Sequence, residues 1–172
     1  MITYNRAFDY YHAIYRMIRF LTHFKREDYI ELDRLRIWDF YFLFPEQVHK
    51  ISLKREETEI RELRKRFIKS KDNPYNQVFD NKKIFERLRP YQITALQCLA
   101  SYGIINKELL RQNRVSIISE TLLNEYSNKF EQMSYTEQNV IALMTLYFAD
   151  ISLFGEDGLK NRTQLMVSRY DV

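Results

Sequence analysis

The sequence predicts a mainly helical protein, α+β at most, and three observations lead there. Only three glycines and three prolines occur in 172 residues, which favours long helices over tight turns. Apolar side chains recur at three- and four-residue spacing through most of the chain. One short run, Val115-Ser116-Ile117-Ile118, is rich enough in β-branched residues to read as a strand.

Each element follows from its local pattern. From Ala7 to Phe24 the residues Ala7, Tyr11, Ile14, Ile18 and Leu21 fall on one helical face, widened by Phe8 and Tyr15. After Lys25-Arg26-Glu27-Asp28, Leu32 and Leu35 lead into Ile37 to Phe44, and Pro45 ends the run. Those upstream leucines make it a helix, apolar nearly all round and therefore buried. Leu53 to Lys71 keeps the narrow stripe Ile60, Leu63 and Phe67, with acids leading and bases following, the order that suits a helix dipole. Ser70 to Asn81, which contains Asn73-Pro74, reads as a loop.

In the second half a short helix is expected around Ile84 to Leu88, and Pro90 should open another that Gly103 closes. A short helix at Lys107 to Arg111 and the Val115 strand come next. Helix, turn, short helix and strand is the order of a winged helix, so a winged-helix-like unit is expected here. Leu122, Tyr126 and Phe130 form a further stripe, and Ser134 with Glu137 makes a capping box for an apolar helix from Tyr135 to Phe154. The tail from Gly155 to Val172 shows no helical period. Length suits a single domain over 1–172, with two sub-halves as the alternative. These would be 1–72, helical, and 82–172, winged-helix-like with a C-terminal helix and the tail.

Composition narrows the function classes. Hydrophobic residues at 45% and charged residues at 29% are globular proportions. The lone Cys98 cannot form an internal disulfide, and Met1 to Asp9 lacks a signal-peptide pattern, so the expected location is the cytoplasm. Val140 to Ala149, the longest apolar stretch, is too short to span a bilayer as a helix, and no membrane association is expected.

No set of residues carries recognisable catalysis. A phosphate-binding glycine loop is missing, and three glycines could not build one. His12, His23 and His49 lie too far apart for a helical metal site, and Cys98 lacks a second thiol. Glu156-Asp157-Gly158-Leu159-Lys160 offers carboxylates near a lysine, but in a glycine-flanked turn rather than on a rigid strand. No enzymatic activity, cofactor or metal is therefore expected. Asp39 is the odd residue, a carboxylate inside an aromatic run that needs a donor; Arg36, three residues away, is the candidate partner.

A net charge of +4 permits weak, non-specific DNA contact, for which Arg64, Lys65, Lys107, Arg111 and Arg114 are the candidates. The bland alternative is a solvated charged face. Thirteen tyrosines and twelve phenylalanines are more than a domain of this size hides, and exposed aromatic side chains mark protein interfaces. Within the tail, Arg162, Leu165, Met166, Arg169 and Tyr170 combine apolar anchors with a basic frame, which suits docking to a partner. A tail folded back on its own core is the alternative.

Two segments resemble a known family: Leu35-Arg36-Ile37-Trp38-Asp39-Phe40-Tyr41-Phe42-Leu43-Phe44-Pro45, and Gly158-Leu159-Lys160-Asn161-Arg162-Thr163 followed by Arg169-Tyr170-Asp171. They are similar to the small middle component of bacterial ABC-three-component conflict systems, the group that includes Lamassu-type antiphage defence. The resemblance implies a subunit without enzymatic activity that links an SMC- or Rad50-like ATPase to an effector in an antiphage or anti-plasmid complex. It also implies tandem winged-helix folding, as in accessory subunits of related SMC complexes. A homodimer is compatible with that role. The competing function is a free-standing winged-helix DNA-binding regulator, whose recognition helix would be Lys107 to Arg111 with Gln112, Asn113 and Arg114 behind it.

Overall fold

The computed structural model describes residues 4–25, 28–69 and 80–166. They are mainly helical, as the sequence predicts. The helices are α1 (Tyr10–His23), α2 (Leu32–Leu43), α3 (Thr58–Phe67), α4 (Asn81–Ser101), α5 (Lys107–Arg111), α6 (Glu120–Ser127), α7 (Tyr135–Ala142) and α8 (Leu159–Thr163). Two-residue strands β1 (Ile30–Glu31) and β2 (Arg114–Val115) pair antiparallel, Ile30 with Val115 and Glu31 with Arg114. The loop expected at 70–81 lies almost wholly outside the described residues.

The chain divides into two compact units, each assembled from two stretches: Met1–Asp39 with Arg87–Gln132, and Phe40–Glu86 with Met133–Val172. Of the three dividing points, two fall inside helices, in α2 and in α4, and the third lies between α6 and α7.

In unit 1, α1 begins later than its apolar pattern suggests. Arg6–Phe8 forms a separate 3-10 turn, and Asp9 caps α1 by accepting a hydrogen bond from the His12 amide at 2.7 Å. Of the expected stripe Ala7, Ile18 and Leu21 are buried, but Tyr11 is 85% exposed. The buried face widens instead to the other side, through Ala13, Arg16, Met17 and Phe20. The cause is Arg16, a charged residue whose buried partner a one-helix pattern does not reveal. Trp38 of α2 packs its ring on Phe20 and Phe24 at 5.8 and 5.2 Å between centroids, and Leu35 of the same helix is buried. α6 packs on α1.

Instead of a short helix and a second one opened by Pro90, α4 runs unbroken for 21 residues with Pro90 inside it. Proline costs the helical ladder one N–H, and burial of Leu88, Gln92, Ala95, Leu96 and Leu99 on one side holds the rod together. Gly103, at φ +72°, ends it in a Schellman turn: the Ile104 amide donates to Leu99 and the Gly103 amide to Ala100. α5 falls where the sequence places it, capped by the Asn106 side chain. The strand that follows pairs with β1 and runs, through a single bridge between Ile105 and Ile117, directly into α6.

In unit 2, the end of α2 buries Phe40 and Tyr41, and Pro45 opens a 3-10 turn over Pro45–Lys50. α3 carries Glu59 in its first turn and Arg64, Lys65 and Arg66 in its last, the expected dipole order. The capping box of α7 is present: the Ser134 hydroxyl accepts from the Glu137 amide at 3.2 Å, and the Glu137 carboxylate from the Ser134 amide at 2.8 Å. Beyond Ala142 the helix widens into one π turn, Leu143–Tyr147, then tightens into a 3-10 turn that ends at Asp150 rather than Phe154. Thr145, whose hydroxyl donates to the Ile141 carbonyl at 2.8 Å, lies within that turn. The tail is not aperiodic: α8 forms at 159–163, closed by Gln164 in the left-handed conformation.

Candidate functional site

The chemistry-bearing residues of unit 1 meet in a buried polar network. Asp39 is fully buried, and its partner is Arg16 of α1 rather than Arg36: Arg16 Nε donates to Oδ1 at 2.5 Å and Nη2 to Oδ2 at 3.1 Å. A helical neighbour three residues away was the candidate that sequence spacing offers, but the donor that reaches this carboxylate comes from another helix. Gln92 of α4 donates from Nε2 to Asp39 Oδ2 at 2.9 Å and accepts from Arg36 Nε at 3.0 Å. Arg36 also reaches Asp33 Oδ1 at 3.3 Å. Two cations and two carboxylates thus balance across three helices.

The network's outer edge is His12, whose Nδ1 lies 2.8 Å from Arg16 Nη1. Since the guanidinium can only donate, Nδ1 accepts and the imidazole is neutral. Burial first, and the adjacent Arg16 charge second, lower its pKa to about 4. Arg16 Nη1 also donates to the Arg6 carbonyl at 3.0 Å, tying the N-terminal turn to the interior.

The other histidines are occupied locally. His23 Nδ1 is 2.7 Å from the Arg19 carbonyl and His49 Nε2 is 2.7 Å from that of Ile68. Cys98 is half-buried on α4. Among the described residues no three His, Cys, Asp or Glu side chains converge as metal ligands.

The residues singled out for DNA contact fall in different units and do different things. Arg64 turns inward, where its Nη1 donates to the Val48 and Ile51 carbonyls at 3.1 and 3.0 Å. Burial first, then neighbouring Arg61, lowers its pKa. Lys65 is exposed. In unit 1 Lys107, Arg111 and Arg114 are exposed around α5 and β2. Arg111 pairs with Glu108 at 2.8 Å, and Arg114 lies 4.8 Å from the Tyr29 ring centroid.

The tail residues up to Met166 fold back on unit 2. Arg162 Nη1 donates to both Glu57 carboxylate oxygens at 2.9 and 2.8 Å, its Nε donates to the Asp157 carbonyl at 2.5 Å, and its own carbonyl accepts from the Ser52 amide at 3.1 Å. Leu165 is 1% exposed and Met166 half-buried. This placement favours the folded-back alternative for this part of the tail; Arg169 and Tyr170 lie outside the described residues. Arg16 and Gln92 escape sequence reasoning because their partners lie 23 and 53 residues away. The one local signal was His12 four residues before Arg16.

Unit 1 is thus a helical scaffold with its buried charges spent on its own packing. No described helix is long and apolar enough to cross a membrane. The chain belongs to the family described as ABC-three component (ABC-3C) system Middle Component 5, whose model matches residues 2–171. It is therefore a component of a multi-subunit system and has protein partners. No curated protein and no solved structure matches it.

Proposed function

We propose that this middle component is a non-enzymatic accessory subunit that links an SMC- or Rad50-like ATPase to an effector in a Lamassu-like antiphage or anti-plasmid complex of the bacterial cytoplasm. The observation that carries the reading is the family match, which spans nearly the whole chain. The internal pairing of Arg16, Asp39, Gln92, Arg36 and Arg162 supports it, because these groups work as struts between helices. The order α4, α5, β2 is compatible with a winged-helix-like unit within this role.

The test is co-expression of the tagged chain with the other components of its own system. The accessory role predicts that ATPase and effector both co-purify, and that omitting this chain separates them. An ATPase–effector complex that forms equally well without it would overturn the role.

A DNA-binding regulator is the second reading, favoured by the exposed Lys107, which opens α5, and the exposed Arg114 just beyond it. A sequence-specific nanomolar complex of the isolated chain with DNA would decide for it.

A further inference from the structure

Unit 1 displays an aromatic and arginine cluster on the surface, built by the segment 4–11 and the stretch of α4 at 87–91. Tyr91 stands between Phe8 and Tyr10, with ring centroids 5.7 and 4.7 Å away. The Arg87 guanidinium lies over the Phe8 ring at 4.5 Å. Tyr4, Tyr10 and Tyr11 are 69%, 48% and 85% exposed, and Arg6, Arg87 and Arg89 are exposed with them.

The display is anchored from beneath. Arg16 of the buried network holds the Arg6 carbonyl, the Asn5 side chain accepts from the Ala7 amide at 3.0 Å, and Ala7 is buried. Rings held by such a frame lose little conformational freedom on binding. In these two segments Asp9 is the only carboxylate, already engaged as the cap of α1, against three arginines.

We propose that this cluster is the docking surface for a segment of another subunit of the system that carries Asp or Glu side chains among apolar ones. The proposal rests on the accessory-subunit reading and gives it a surface. Charge complementarity selects carboxylates, since the guanidinium forks present paired N–H donors and the tyrosyl hydroxyls add more. The rings supply apolar area at low entropic cost, and Tyr and Arg are the residues that dominate binding energy at protein interfaces. A single-stranded nucleic acid would want ring faces open for base stacking. Here Arg87 takes a face of Phe8, and Tyr10 and Tyr91 tilt together at an interplanar angle of 33°, so these faces are already occupied.

The experiment uses the full chain, tagged and co-expressed with the other components, and compares it with the Tyr11→Ala/Arg87→Glu double variant and the conservative Tyr11→Phe/Arg87→Lys pair. The expected result is about a tenfold or greater loss of affinity for the double variant and near-complete retention for the conservative one. Wild-type binding should also weaken as salt is raised. Thermal melts control for folding, and Tyr11→Ala alone, at so exposed a position, provides a variant that tests the ring without risk to the core. Unchanged co-purification of the double variant would overturn the proposal while leaving the accessory role standing. Failure of the wild-type chain to bind any component would sink the role itself. Weakened binding of a fluorescein-labelled oligothymidylate with the protein complex intact would assign the cluster to nucleic acid and overturn the proposal as well.

Discussion

Arg16 and Asp39 form a two-point ion pair in which both side chains are wholly excluded from solvent, joining α1 to α2 within unit 1. Such a pair contributes modestly when intact, because two charges must be desolvated to make it, yet it is costly to break. Replacing Asp39 by Ala strands a buried guanidinium and is expected to destabilise the protein by about 3–5 kcal/mol. The apolar double variant Arg16→Met/Asp39→Leu should recover most of that loss. Urea unfolding of the two variants checks the prediction, which fails if the double variant is as unstable as the single one.

His12 gives unit 1 an acid sensitivity of known sign. Its folded pKa of about 4 lies below the ordinary 6.5, so between those values the unfolded chain takes up a proton that the folded chain refuses. His12 therefore costs nothing above that window, and its destabilising effect grows as pH falls through it. The ring is only half-buried, and solvent screening holds the effect to about 1–2 kcal/mol. In melting curves recorded across this pH range, His12→Gln should fall less steeply with acid than the parent. Parallel curves would contradict the assignment.

Gly158 has a space requirement that no side chain meets. A Cβ there would lie 2.3 Å from the Phe154 carbonyl oxygen and 3.0 Å from that of Leu153. Both are backbone atoms that cannot swing aside, so Gly158→Ala is expected to cost about 1–3 kcal/mol through a forced backbone shift. Leu165→Ala, which empties a fully buried position, should cost about 2–5 kcal/mol. Deleting 161–172 removes both the Arg162–Glu57 pair and Leu165, and should lower the melting temperature before any effect on partners is read. A truncated chain that melts like the parent would show that the tail is dispensable to unit 2.

The cations singled out for DNA contact separate into two kinds with different readouts, exposed and inward-turned. Lys107→Glu/Arg114→Glu should weaken a salt-sensitive, non-specific DNA affinity expected in the range of about 10⁻⁴ to 10⁻⁶ M. Arg64→Ala should instead lower stability, by about 1–3 kcal/mol, because two carbonyls in unit 2 lose a charged donor. Fluorescence anisotropy and thermal melting distinguish the two. Loss of DNA binding by Arg64→Ala at unchanged stability would reverse the assignment.

The accessory reading also predicts that the repurified chain hydrolyses no nucleotide and cuts no DNA with Mg²⁺ or Mn²⁺. Steady phosphate release or metal-dependent nicking that co-elutes with the chain through successive columns would contradict it.

What the sequence by itself determined is what short-range physics controls. The Ser134 and Glu137 box, the α5 segment, the all-round apolar α2 and the dipole order of α3 each depend on residues within one or two turns, and each formed where expected. The tertiary structure decided what depended on distant donors. Arg16 reads as a solvent-facing residue until Asp39 is brought to it, and with that pairing Arg16 is part of the buried face of α1 while Tyr11 is exposed. Pro90 reads as a helix start until burial on both sides of it holds α4 continuous. Likewise Arg162 has a partner that its own segment does not reveal, Glu57, 105 residues away, which accepts its guanidinium. A desolvated charge needs a partner and takes it wherever the fold supplies one, and no local spacing in the sequence records where that is.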